Sequence, residues 1–175
     1  MRGTIERVEG PGAFVVKSRS GETMKMTTTA KPTYTAMIKA SLADIKPGLF
    51  VGATAVPGAD GKLEAVEVHI FPETMRGVGE GHRPWDLKPQ STMTNAAVEQ
   101  SVAGVEGRTL TLKYKGGEKR IVVTPQTVVV TYANGNAAEL KPGVAIFIGG
   151  GTKQPDGSIR TSRITYGRDG LVPPM

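Results

Sequence analysis

The side chains with the clearest potential for chemistry are thioethers and imidazoles, the donors that Cu(I) and Ag(I) prefer. The sequence supplies them at Met24, Met26, Met37, Met75, Met93, His69 and His82. Met24 and Met26 are two residues apart in a segment with the pattern of a strand, so both sulfur atoms would lie on one face. A second set falls in a segment rich in glycine and proline. The prediction is a soft-metal site for Cu(I) or Ag(I), built from His82, Met75, Met93, Met24 and Met26.

Each candidate ligand also has a structural interpretation. Methionine often fills gaps in a hydrophobic core, which would explain Met24 and Met26. His69 is out of phase with its apolar neighbours, so we expect it to face outward and to be exposed. The carboxylates Glu64 and Glu67 on the same strand read as a solvated face. Trp85, beside His82, is expected to be the largely buried anchor of an ordered connector that packs between two domains.

The other common chemistries lack their residues. The chain has no cysteine, which excludes disulfides, thiolate metal sites and cysteine nucleophiles. It has no Gly-x-Ser-x-Gly motif and no plausible catalytic triad. The glycines of segment 77–81 are followed by neither a helix nor a Lys-Ser/Thr pair, so they do not form a phosphate-binding loop. We therefore predict a binding or interaction protein rather than an enzyme.

The charge of the chain supports an alternative ligand. The formal net charge is +6 and the isoelectric point is near 9.7, which favours contact with polyanions without specifying one. The candidate binding residues cluster near one predicted hairpin: Lys113, Lys115, Lys119 and Arg120. Only 5% of residues are aromatic, and Tyr114 is expected to point inward, so platforms for base stacking are few. The alternative is therefore polyanion binding, with single-stranded nucleic acid as the less favoured polymer.

The strongest organisational signal is an internal repeat. Matching landmarks recur at an offset of 95 to 97 residues: Val8-Glu9-Gly10 with Val105-Glu106-Gly107, Phe14 to Lys17 with Leu110 to Lys113, Gly21-Glu22 with Gly117-Glu118, Lys46-Pro47-Gly48 with Lys141-Pro142-Gly143, and Asp60-Gly61 with Asp156-Gly157. Five landmarks in one register predict a duplicated unit.

Each repeat has the pattern of five strands, with a short helical turn before the fourth that ends at Pro-Gly. The apolar phase of the fifth strand slips by one residue in both repeats, which predicts a β-bulge near Ala65-Val66 and another near Thr161-Ser162. The predicted fold is all-β: two tandem five-stranded OB-like barrels at 1–71 and 96–175, joined by an ordered Gly/Pro-rich connector at 72–95. A sandwich is the alternative architecture.

The segments 42–48 and 60–68 carry a resemblance to a bacterial family catalogued as domain of unknown function 5666. The resemblance covers both repeats and implies small tandem β domains, usually on exported proteins. We expect the partner to be another envelope protein or a metal ion. The Met24-Lys25-Met26 strand is also similar to part of the periplasmic copper- and silver-binding chaperones of efflux systems, although their His and Trp have no counterpart at 17–22. The resemblance implies a periplasmic or otherwise exported protein whose signal peptide has been removed, and a cytoplasmic location stays open. No apolar run is long enough for a membrane span.

Overall fold

The computed structural model describes residues 1–58, 60–104 and 107–174. In these residues the chain is all-β, as predicted, with thirteen strands and three short 3-10 turns. The strands are β1 Arg2–Gly10, β2 Ala13–Ser18, β3 Thr23–Lys39, β4 Phe50–Pro57, β5 Leu63–Ile70, β6 Gly81–Pro84, β7 Thr92–Gly104, β8 Gly107–Tyr114, β9 Gly117–Val123, β10 Val128–Asn134, β11 Ala145–Phe147, β12 Thr152–Lys153 and β13 Ile159–Gly167. The described part of the chain contains no helix long and apolar enough to cross a membrane. The repeat landmark Val105-Glu106 lies outside the described residues.

The predicted helical turns are present as 3-10 turns at Leu42–Asp44 and Ala137–Glu139. Each is capped at its start: Ser41 N donates to Asp44 Oδ2 at 2.7 Å, and Ala138 N donates to Asn136 Oδ1 at 2.9 Å. Such caps satisfy backbone N–H groups that a short turn leaves free. A glycine with positive φ follows each turn, and these positions direct the chain into the next strand.

The first compact unit consists of residues Met1–Ile38 and Ala133–Pro173. Its strands pair in the order β1, β2, β3, β13 and β11, and β11 pairs again with β1, so the circuit of strands closes. The β3–β13 pair is parallel and the others are antiparallel. One core fills this circuit: Ile5, Phe14, Val16, Met26, Ala36, Leu140, Ile146, Ile148, Ile164 and Tyr166.

The second compact unit is formed by residues Lys39–Tyr132, with Pro174. Its strands pair in the order β7, β8, β9, β5 and β4, and β4 pairs again with β7. Here the β5–β9 pair is the parallel one. The core of this unit includes Ile45, Val51, Val68, Ile70, Val98, Leu110, Leu112, Ile121 and Val123. Tyr114 packs against it, so its inward orientation is as expected.

These units are not the consecutive ranges 1–71 and 96–175. Each combines the first three strands of one predicted repeat with the last two strands of the other. Strand pairing is long-range and is set by the whole sheet, so consecutive sequence alone does not fix which copy supplies the closing strands. The segment 72–95 is ordered and lies within the second unit, where it forms the turn Glu73–Met75, strand β6 and the start of β7.

Both predicted bulges are present. Between β4 and β5, Thr54 pairs with Glu67 and Ala55 with Ala65, so Val66 has no partner on β4. Between β13 and β3 the register shifts from Thr161 to Arg163 and passes over Ser162. A residue passed over in this way bends its strand and reverses the alternation of side chains beyond it.

Candidate functional site

The outer surface of β2, β3 and β13 in the first unit is the most distinctive polar surface of the chain. Strand alternation defines it, because Phe14, Met26 and Ile164 point into the core and their neighbours point outward. The outward positions carry Lys17, Lys25, Lys31, Arg160 and Arg163, all of them exposed. We call these five cations the basic face.

Strand pairing brings these cations together from distant parts of the sequence. Lys17 lies opposite Thr23, and Lys25 follows two residues later on the same face of β3. Arg160 lies beside Thr27 and Arg163 beside Thr33 through the parallel β3–β13 ladder. Side chains at paired positions share one face of a sheet. Residues about 130 positions apart in the chain therefore form one cationic surface.

Acidic residues are absent from all three strands of this surface. The nearest carboxylate to Lys25 belongs to Glu9 on β1, with Lys25 Nζ 3.9 Å from Glu9 Oε2. The pKa of Asp156 is lowered, first by hydrogen bonds from Ser158 and last by the charge of Lys25. Among the described residues, Lys17, Lys31, Arg160 and Arg163 form no ion pair. Their charges are available to a ligand.

Most of the remaining outward positions carry hydroxyl groups rather than aromatic rings, and the apolar exceptions are Ala13, Val15 and Met37. Thr23 and Thr33 are exposed, and Thr27 is half-buried. The aromatic residues of these strands turn inward: Phe14 and Tyr166 are in the core, and Tyr34 packs against it. The Thr23 and Thr33 hydroxyls already donate within the protein, to Glu6 Oε2 at 3.3 Å and to Ser162 O at 3.4 Å. This surface therefore offers mainly cations to an anion, and no ring on which a base could stack.

The four basic residues predicted from the sequence do not form one surface. Lys113 is neutralised locally, because its Nζ lies 3.0 Å from Glu99 Oε1 and Glu118 is its partner across the β8–β9 ladder. Arg120 lies opposite Thr111 on the same side, whereas Lys119 lies opposite the core residue Leu112. Lys115 follows in the turn, where its backbone N donates to Glu80 Oε1 at 2.8 Å. Proximity in the hairpin sequence did not reveal this division between two faces.

The predicted strand pair of thioethers belongs to the core of the first unit. Met26 is fully buried there, next to Phe14 and Val16 on the facing strand. Met24 lies on the same face and is half-buried. Two sulfur atoms facing a phenyl ring and a valine lack the further donors that a metal ion needs. The structural interpretation of this pair is the one that the geometry supports.

The connector ligands are not brought together either. His82 pairs with Thr94, and Arg83 pairs with Met93, so the His82 and Met93 side chains lie on opposite faces of the β6–β7 ladder. His82 Nδ1 is 2.8 Å from Thr94 Oγ1, and burial, followed by the charge of Lys119, lowers the pKa of its imidazole. Met75 lies on the Glu73–Met75 turn. Among the described residues no three His, Asp or Glu side chains form a metal-binding group.

Trp85 is half-buried rather than largely buried. The guanidinium carbon of Arg83 lies 5.5 Å from the centre of its ring, a cation–π contact. Its backbone N donates to Ser91 O at 2.8 Å, and Ser91 Oγ donates to Trp85 O at 2.9 Å. Trp85 thus closes the loop 85–91, and the prediction that it is a largely buried anchor is corrected.

A buried polar cluster in the second unit was missed in the sequence. Glu67 is fully buried and His69 is 2% exposed, although both face away from the core, as the phase predicts. Glu67 Oε1 lies 2.5 Å from His69 Nδ1, and Thr54 Oγ1 donates to Glu67 Oε2 at 2.9 Å. Met93 Sδ is 3.9 Å from the same hydroxyl. The sequence signal for this cluster is the alternation Glu67-Val68-His69 on one strand. The same alternation also predicts a solvated face, and that prediction is wrong here because both side chains are buried.

Aromatic rings cover this cluster. The His69 ring meets Phe71 edge-on at 4.7 Å between centroids, and Phe71 stacks on Tyr132 at 5.5 Å. Burial, followed by the negative charge of Glu67, raises the pKa of the Tyr132 hydroxyl well above its usual range. A carboxylate and an imidazole removed from water must satisfy each other, so this pair is a structural feature with a high cost of disruption.

Gly52 leaves the space that the His69 ring occupies. A Cβ at Gly52 would overlap His69 Nε2 and lie 2.7 Å from Asn95 Oδ1. We predict that Gly52→Ala lowers the free energy of unfolding by about 1–3 kcal/mol, because the ring must leave its rotamer or the strands must separate. Gly10→Ala is the control, since a Cβ there meets nothing within 4 Å. Denaturant unfolding measures both, and equal stabilities would contradict the packing of His69 on Gly52.

Comparison of the chain with family models, with curated proteins and with solved structures finds no match.

Proposed function

We propose that this chain is a non-enzymatic binding protein for linear polyanions, which it holds on the basic face. The observation that carries the proposal is the composition of β2, β3 and β13: three neighbouring strands without a single carboxylate, whose outward positions carry five cations. Polyanions bind proteins mainly through such arrays, because each neutralised charge releases a condensed counterion.

The distribution of charge between the two units supports the same site. The first unit contains 11 Lys and Arg against 6 Asp and Glu, a formal net charge of +5. The second contains 11 against 10, a formal net charge of +1. The excess positive charge of the protein is therefore concentrated in the unit that carries the basic face, and it would attract a polyanion there at long range.

We interpret the strand circuit of each unit as a five-stranded OB-like barrel. The pairing order of first, second, third, fifth and fourth strand, with a parallel contact between the third and fifth, supports this interpretation. OB folds bind oligomers on the face of their second and third strands, which are β2 and β3 in the first unit. Fold alone does not imply function, so the proposal depends on the charges of this face and not on its topology.

An exported location, which the family resemblance implies, agrees with this function but is a separate proposal. Outside the cytoplasm the available polyanions are polymers of the cell envelope rather than cellular nucleic acid. Cell fractionation with an antibody against the protein tests the location directly, and a cytoplasmic signal would overturn it without affecting the binding site.

The proposal is tested by the salt dependence of binding. We expect the affinity for a flexible polyanion to fall steeply between low and moderate salt, and Arg160→Gln with Arg163→Gln to reduce the slope of log K against log[salt] by about 1.4, or about 0.7 per lost contact. At low salt the same double variant should bind more weakly, by at most about fivefold for each lost contact. Fluorescence anisotropy with a labelled anionic polymer measures both quantities.

The matched control is Lys113→Gln with Arg120→Gln, which removes the same charge from the second unit. It should leave the slope and the affinity near those of the unaltered protein, because Lys113 is already paired with Glu99. If the two double variants weaken binding equally, the contact is diffuse and the basic face is not the site. If no polyanion binds at low salt, the proposed function fails.

A further inference from the structure

We infer that the bound polymer runs along β3 and is recognised by the spacing of its charges, with no contribution from bases. The ligand class is then a linear phosphate or sulfate polymer, long enough to reach several cations at once. This inference rests on the proposed function and adds the direction, the minimum length and the chemistry of the ligand.

The first three cations form a regular diagonal across the sheet. Lys17 is level with Thr23, Lys25 is two residues further along β3, and Arg160 is level with Thr27. Each step moves two residues along the strands, roughly 6.6 Å, and one strand across, roughly 4.8 Å. A polymer in contact with all three advances along β3 in even steps.

The bulge continues this series. Between the pairs Thr161–Thr28 and Arg163–Thr33, β3 contains four residues opposite Ser162 alone, and Lys31 is one of the four. Thr33 Oγ1 donates to Ser162 O at 3.4 Å within this bend. Arg163 therefore points outward, like Arg160, although the two residues are three positions apart and simple alternation would place them on opposite faces. From Lys17 to Arg163 the path covers four residue steps along β3, from Thr23 to Thr27, and three along β13, from Arg160 to Arg163. These seven steps correspond to roughly 23 Å.

This arrangement requires a ligand with length. A single phosphate reaches one or two exposed cations, and one exposed ion pair contributes at most about a fivefold change in affinity. A longer chain occupies further cations without a new loss of translational freedom, so its affinity rises until it covers the series. Nucleotide bases add little, since the face has no aromatic side chain and stacking usually contributes roughly fivefold or more for each base.

The test uses the full chain and a length series of inorganic phosphates: orthophosphate, tripolyphosphate and long-chain polyphosphate, with oligodeoxythymidylate of matched charge. We expect long-chain polyphosphate to bind at least about tenfold more tightly than tripolyphosphate and about as tightly as the oligonucleotide. The variant Lys17→Gln with Arg163→Gln, altered at the two ends of the series, should weaken the binding of the long chain more than that of tripolyphosphate, which can reach only one of the two residues and should lose at most about fivefold.

The outcomes separate this inference from the proposed function. Salt-dependent binding that is equal for tripolyphosphate and the long chain would overturn the inference and leave the proposed function intact. Binding of the oligonucleotide that is about tenfold tighter than that of polyphosphate would overturn the ligand class, because it would require base contacts. Absence of binding by every polymer would overturn the proposed function, and the inference with it.

Discussion

Glu67→Leu lowers the free energy of unfolding by about 3–5 kcal/mol, the usual cost of removing one partner from a buried pair. The substitution leaves the His69 imidazole, 2% exposed, without the carboxylate that lies 2.5 Å from its Nδ1. It also removes the acceptor of the Thr54 hydroxyl. Equilibrium denaturation of the variant and the unaltered protein measures the loss.

Two further variants isolate the cause of this loss. Glu64→Leu, at an exposed position of the same strand, should change stability by less than about 0.5 kcal/mol. The double variant Glu67→Leu with His69→Leu should be more stable than Glu67→Leu alone, because it leaves no unpaired imidazole. If Glu67→Leu lowers stability no more than Glu64→Leu does, the Glu67 carboxylate is hydrated, and this result would contradict the burial of the Glu67–His69 pair.

The strand pattern around Glu67 and His69 predicts the side of the sheet on which they lie but not their exposure to solvent. The phase of Val68 and Ile70 correctly placed Glu67 and His69 on the side away from the core. The step from outward to exposed was wrong, because Phe71 and Tyr132 cover that side. Tyr132 is more than 60 residues away in the sequence, and period-two alternation carries no information about distant covering residues.

The candidate binding surface has a similar explanation. The cations of hairpin 113–120 are close in sequence, but strand alternation divides them between two sides and Glu99 pairs with one of them. The basic face combines residues near 17–31 with residues near 160–163, which only the parallel β3–β13 ladder brings together. Local features were predicted well: both bulges, both 3-10 turns and the all-β class.

The partners of the strands were beyond local prediction, since each predicted repeat contains five strand patterns that could close on themselves. In the structure, β1 instead pairs with β11 and β3 with β13, both from the second repeat. The strands β4 and β5 pair with β7 and β9. The competing arrangements have similar pairings and similar apolar faces, so sequence patterns do not separate them.

Fragments of the chain decide between the two arrangements. We expect residues 39–132 to fold alone as a monomer, because this continuous segment contains every strand of the second circuit and nearly all of its core. We expect residues 1–71 to be unfolded as a monomer, because β1 and β3 lose their partners β11 and β13 and the core loses Ile146, Ile164 and Tyr166. Loss of one such core side chain alone costs about 2–5 kcal/mol, so losing all three exceeds the stability of a small domain.

Circular dichroism, amide chemical-shift dispersion and sedimentation measure the outcome. A monomeric, well-dispersed 1–71 beside an unfolded 39–132 would favour the consecutive tandem barrels and contradict the exchanged strands.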